Sequence, residues 1–269
     1  MKEKLTKEYR SYIDHPERYG YEQLTELIDK LSEEHRKYGE KWFSPNHNLE
    51  IYLYEYWVNQ EEYECTSYQL NVLYKQQGVA EEKRGMFEKA EQSFLSALEW
   101  NPVDIEIYLN LCENYVKRME WFVLKEIVRK MYHYCYTCVD LSRYYRYLGR
   151  YFLEIYQPEI SACLYRYSNY WYQTKTADKE LDFLKAATAG VFADHTLEED
   201  KKLLLEHDIP LRPEAETLAL CYHAAKEEKD CEIQKLYFSM LYQVTGDVEI
   251  EKILINRKDK RNPKLLLPE

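Results

Sequence analysis

The sequence predicts an all-α fold of antiparallel helix pairs, and three observations carry that reading. Glycine and proline are scarce, 7 and 8 in 269 residues, which suits long helices joined by short loops and not a turn-rich β fold. Apolar residues recur at helical spacing along much of the chain, as at Leu24, Leu27, Ile28 and Leu31. The stretch 71–104, NVLYKQQGVAEEKRGMFEKAEQSFLSALEWNPVD, interleaves small residues with aromatics at Tyr74, Gly78, Ala90, Phe94, Ala97 and Pro102. Phe94 and Ala97 lie four and seven residues after Ala90, so the three share one helix face. Gly78 and Ala90 are expected where the two helices meet, and Pro102 follows the second helix, where a proline stops it.

Those positions resemble the tetratricopeptide repeat, a helix pair of roughly 34 residues whose pattern runs large aromatic, small, small, aromatic, small, proline. The resemblance implies a right-handed α–α superhelix, a solenoid whose concave face is built from the first helix of each repeat. It also implies an interaction scaffold and not a catalyst. The stretch departs from the pattern at Gln77, where a leucine is usual, and at Glu81, where a tyrosine is usual.

Taken in order, residues 1–255 read as a single helical repeat domain. Residues 1–70 are expected to form an N-terminal helical cap or degenerate repeat, with a break near Phe43–His47 at FSPNHN. A helix then runs through Leu49, Tyr52, Leu53, Tyr56 and Trp57. Residues 71–175 hold the repeats. The second follows without a gap, with Tyr108, Leu111, Cys112 and Tyr115 in its first helix and Leu124, Val128 and Met131 in its second. The third restarts at Ser142, with Tyr145, Leu148, Gly149 and Phe152, then Ser161, Tyr165 and Ser168; Pro158 falls early in its second helix, where proline is tolerated. Residues 176–255 read as divergent C-terminal helices, broken at Pro210 and Pro213, and residues 256–269 as a tail.

Composition narrows the function classes. A formal net charge of −11 disfavours non-specific binding to nucleic acid, whose phosphates would repel the chain. The N-terminal MKEKLTKEYRSYIDH has no apolar signal-peptide core and no long apolar run follows, so a cytoplasmic protein that does not enter a membrane is expected. The 7 irregularly spaced cysteines fit reduced thiols. Cys135 and Cys138 form a C-x-x-C beside His133, but no second pair exists to complete a zinc site; both are expected to be small apolar residues at a repeat junction. The sequence holds no H-E-x-x-H, no G-x-S-x-G and no phosphate-binding glycine loop, so neither a catalytic residue nor a metal nor a cofactor is expected. The 28 tyrosines are the anomaly: they fill aromatic packing positions, or they line a groove.

In the resembled family, specific positions of the first helix face the groove. These are Lys75, Gln76, Val79, Glu82 and Lys83 in the first repeat, Glu106, Leu109, Asn110, Glu113 and Lys117 in the second, and Arg143, Arg146, Tyr147 and Arg150 in the third. Lys75, Asn110 and Arg143 match the clamp by which chaperone-binding members hold a peptide's terminal carboxylate. Val79 replaces the usual asparagine and Tyr147 the usual basic residue, with Arg146 and Arg150 a turn away to compensate. The peptide-binding groove is therefore expected at Lys75, Asn110, Arg143, Arg146, Tyr147 and Arg150, with a protein or peptide partner bearing an acidic or carboxylate-bearing segment. Two other readings are a peptide-sensing regulatory module of the kind bacteria build from such repeats, and an enzyme on a helical scaffold. The first lacks a basic recognition helix in residues 1–66, and the second lacks a catalytic constellation.

Overall fold

A computed structural model of the chain describes residues 2–37, 41–58, 62–192 and 195–258. These residues are overwhelmingly helical and divide into two compact units, Met1–Val128 and Arg129–Glu269.

In the first unit, α1 (Lys2–Asp14) and α2 (Tyr21–Arg36) are separated by a single 3-10 turn, Pro16–Arg18. Two short strands, β1 (Trp42–Phe43) and β2 (Glu64–Cys65), pair in parallel and flank α3 (Asn48–Trp57). The sequence reading anticipated the break at 43–47 but not this pairing, which is too short to leave a periodic signal. There follow α4 (Leu70–Glu82), α5 (Phe87–Trp100), α6 (Ile105–Arg118) and α7 (Trp121–Tyr132), within which the unit boundary falls. Helix α4 packs on α2, α5 and α6, and α5 packs on α6.

The α4–α5 contact brings Gly78, anticipated with Ala90 at the meeting of the two helices, under Phe94, a partner that the sequence did not name. A Cβ on Gly78 would stand 2.5–2.9 Å from three ring atoms of Phe94, so only a hydrogen fits there. Ala90, Phe94 and Ala97 are fully buried. The two departures from the repeat pattern have local partners. Glu81 accepts from the Tyr21 hydroxyl and the Ser93 hydroxyl, 2.6 Å each, and the Gln77 amide donates to the Thr25 hydroxyl at 3.1 Å. A carboxylate is accommodated here because α2 and α5 each bring a hydroxyl to it.

The second unit begins within α7 and continues through α8 (Cys138–Glu154), α9 (Pro158–Trp171), α10 (Lys175–Ala187), α11 (Leu197–Glu206), α12 (Ala215–Glu227), α13 (Cys231–Thr245) and α14 (Val248–Lys258). Thr137 caps α8, accepting from the Asp140 amide at 3.1 Å, so this helix starts four residues before the anticipated Ser142. Pro158 is the first residue of α9. Tyr165 closes over Gly149, whose added Cβ would meet the ring at 3.2 Å, and the Ser161 hydroxyl donates to the Gly149 carbonyl at 2.8 Å.

Helices α10 and α11 pack on α9, while α13 packs on α8. The α8–α9 hairpin thus has neighbours on both sides, and the connection 207–214 carries the chain from α11 to α12. Helix α11 lies within the anticipated C-terminal helices but was not singled out among them. Its acidic first turn, capped by Thr196 with Glu199 bonded back, carries the start signal, but its short apolar run does not stand out. Of the anticipated tail, 256–258 complete α14 and 259–269 lie outside the described residues. Among the described residues, no helix is long and apolar enough to cross a membrane.

Candidate functional site

The anticipated groove residues fall in both units. In the first, Lys75, Gln76 and Val79 of α4 and Lys83 just after it face Glu106 and Asn110 of α6 across one shallow pocket of about 380 Å³. Lys75 Nζ lies 3.6 Å from the buried Asp104 carboxylate, so its charge is shared with the protein itself. The Asn110 amide donates back to the Glu106 carbonyl on its own helix at 2.6 Å. Arg84, at the same pocket, donates to the Ala80 carbonyl and lies over the Tyr21 ring, 4.6 Å from its centre. Leu109 is buried, and Glu82 and Lys117 pair with one another at 2.7 Å.

Behind Lys75 lies a polar network that sequence reading missed. Asp104 caps α6 through the Glu106 amide (3.0 Å) and accepts from the amides of Asn46 (3.0 Å) and Asn71 (3.3 Å). Glu50, only 4% exposed, accepts from the Asn46 backbone amide (2.6 Å), the Asn46 side chain (3.0 Å) and the Asn101 side chain (2.8 Å). His47 Nε2 stands 3.8 Å from Glu50. The asparagines tie the FSPNHN loop to α4 and to the α5–α6 junction, so the network holds that loop in place. Its one legible signal was the run of asparagines around a proline.

Burial pushes the Glu50 carboxyl up; His47 opposes this and Asp104 adds to it. A folded value above the unfolded one of about 4.3 means that the protonated form favours the fold. That contribution is complete below the unfolded value and is lost as pH rises through the folded one. Glu50→Gln, which does not titrate, is therefore expected to gain stability relative to the parent chain between about pH 4 and pH 8. Urea unfolding at both ends of that range checks it, and a gap that stays constant or moves the other way refutes it.

In the second unit, Arg143, Arg146, Tyr147 and Arg150 all lie on α8. Arg150 is neutralised by Glu154 (2.7 Å) and Glu180 (3.7 Å). Arg146 differs: among the described residues its guanidinium meets no carboxylate, and it donates only to the neutral Thr174 hydroxyl at 3.1 Å. Burial pushes the Arg146 guanidinium down, and the nearby Arg143 charge pushes it further. The phenols of Tyr147, Tyr165 and Tyr172 oppose those effects. A half-buried guanidinium beside a second cation, hydrogen-bonded to a neutral hydroxyl, retains the capacity to make a charge-assisted bond to an anion.

The C-x-x-C region takes another form. His133 Nδ1 meets Glu214 at 2.9 Å, Cys135 is fully buried, and the Cys138 thiol is half-buried and pushed up by that burial. All cysteines among the described residues are free thiols, and no three His, Cys, Asp or Glu side chains there are grouped to hold a metal ion. His207 stands edge-on to Phe152, with ring centres 6.0 Å apart. His195 Nδ1 lies 3.6 Å from Asp200, which forms a two-pronged pair with Arg166 (2.8 and 2.5 Å). That pair was not legible either, because its members stand 34 residues apart on different helices. No family model matches the sequence, and no curated protein matches it.

Proposed function

We propose that the chain is a non-catalytic scaffold of tetratricopeptide type, a right-handed superhelix of helix pairs, which binds a protein or peptide partner through a carboxylate-bearing segment. Two features support the scaffold reading. Gly78 under Phe94 and Gly149 under Tyr165 repeat one packing device, a glycine on the first helix of a pair beneath an aromatic ring on the second. The pocket at Lys75 and Asn110 opens on the first-helix side of its pairs.

The observation that carries the ligand class is Arg146, a half-buried guanidinium without a carboxylate and beside Arg143. An incoming carboxylate would replace its lost hydration with a charge-assisted bond. The test is calorimetry with a library of short acidic peptides, each made with a free C-terminal carboxylate and as the amide. Free acids are expected to bind, amides to bind about tenfold more weakly, and Arg146→Leu to weaken the free acids by a similar factor. Equal binding of acid and amide, or an Arg146→Leu chain that binds as well as its parent, overturns the assignment.

A further inference from the structure

Five tyrosines of the second unit form one continuous row. Ring centres run from Tyr132 to Tyr144 (5.0 Å), Tyr145 (5.1 Å), Tyr167 (4.9 Å) and Tyr170 (5.6 Å). Three of these phenols hold three consecutive main-chain carbonyls of the 207–214 connection. Tyr145 donates to Pro210 O at 2.7 Å, Tyr167 to Leu211 O at 3.0 Å, and Tyr132 to Arg212 O. Burial pushes the Tyr132, Tyr145 and Tyr167 phenols up, so each remains a donor at any physiological pH.

The grip is on backbone and needs nothing from the side chains of 210–212; Arg212 is exposed. The segment is anchored at its ends by Ile209, 5% exposed, and by the buried Pro213. Proline at 210 and 213 fixes φ and removes the N–H, so the segment, bent at 211–212, presents carbonyls to the phenols and enters with little conformational entropy to lose. Aromatic grooves that recognise proline-rich peptides use the same combination. The row also outruns its occupant: Tyr170, stacked on Tyr167, is 55% exposed.

We propose that this tyrosine row is a binding groove for a proline-bearing polypeptide segment, that Ile209–Pro213 occupies it as an internal ligand, and that a partner segment of the same chemistry competes for it. The interaction is between neutral phenols and main-chain carbonyls, so it is independent of the carboxylate recognition at Arg146.

The probe is acetyl-Ile-Pro-Leu-Arg-Pro-amide, which carries no carboxylate and so cannot report on Arg146. Its affinity is measured by isothermal calorimetry for the full chain and for a release variant, Ile209→Gly/Pro210→Gly/Pro213→Gly. The release variant is expected to bind the probe at least about tenfold more tightly than the parent. Adding Tyr145→Phe and Tyr167→Phe to it is expected to weaken binding by about tenfold or more. A release variant that keeps its helical circular dichroism yet shows no saturable binding up to about 1 mM probe overturns the proposal. Should the release variant lose its helices, the parent chain decides. Millimolar probe is expected to shift the main-chain carbonyl carbon resonances of Pro210, Leu211 and Arg212 as their phenol donors are taken over, and unchanged resonances there overturn the proposal equally.

Discussion

Arg166→Met is expected to cost the second unit about 3–5 kcal/mol, the largest single loss foreseen in this chain. Asp200 is 2% exposed, and Arg166 supplies its two-pronged partner from α9. The same guanidinium donates to the Phe192 carbonyl at 2.6 Å, so one side chain neutralises a buried carboxylate and satisfies a carbonyl of the α10–α11 connection. Methionine keeps much of the apolar stem but leaves the charge unpaired. His195, 3.6 Å away, is too distant to replace the two hydrogen bonds.

The pair and its removal are different quantities. Arg166→Met with Asp200→Leu leaves no orphaned charge, and the double variant is expected to recover most of the loss. Cys163 bonds the Asp200 main-chain carbonyl at 3.3 Å, a contact that neither substitution removes. Urea unfolding of the parent, both single variants and the double variant gives the coupling energy directly. A single-variant loss below about 1 kcal/mol would mean that water reaches Asp200, and the argument would fail.

Gly78→Ala is expected to destabilise the first unit by about 1–3 kcal/mol, although glycine to alanine inside a helix ordinarily gains up to about 1 kcal/mol. The reason is Phe94, fully buried, with three ring atoms within 2.9 Å of the new methyl. A ring packed on all sides cannot swing away, so the helices must part or the ring must leave its rotamer. Gly78→Val is expected to lose more. Phe94→Leu in the Gly78→Ala background makes room and is expected to return part of the loss.

Gly149→Ala serves as the internal comparison. Its methyl would meet Tyr165 at 3.2 Å, which a shift of a few tenths of an ångström relieves. The helix gain then offsets the contact, and the net effect is expected within about 1 kcal/mol of zero. Thermal and chemical denaturation of both alanine variants checks the contrast. Equal effects at the two glycines would show that the approach of α4 to α5 is looser than the geometry implies.

The sequence by itself determined what is local. Helix existence followed from periodicity, and Gly78 and Ala90 could be placed where two neighbouring helices meet, although the ring that covers Gly78 could not be named. The positions of Pro102 and Pro158 were legible because proline acts on its own neighbours. What only the tertiary structure decided is which apolar face meets which partner. Periodicity marks a face as buried without naming its neighbour, so the packing of α11 on α9 and of α13 on α8 had no signature in the sequence. The same holds for polar groups. Asp104, Glu50 and Asp200 looked like surface charge among many acids, and their partners arrive from distant elements. The tyrosines make the clearest case: their abundance was visible at once, but that three of them close on carbonyls 210–212 depends on a chain crossing fixed only when the helices pack.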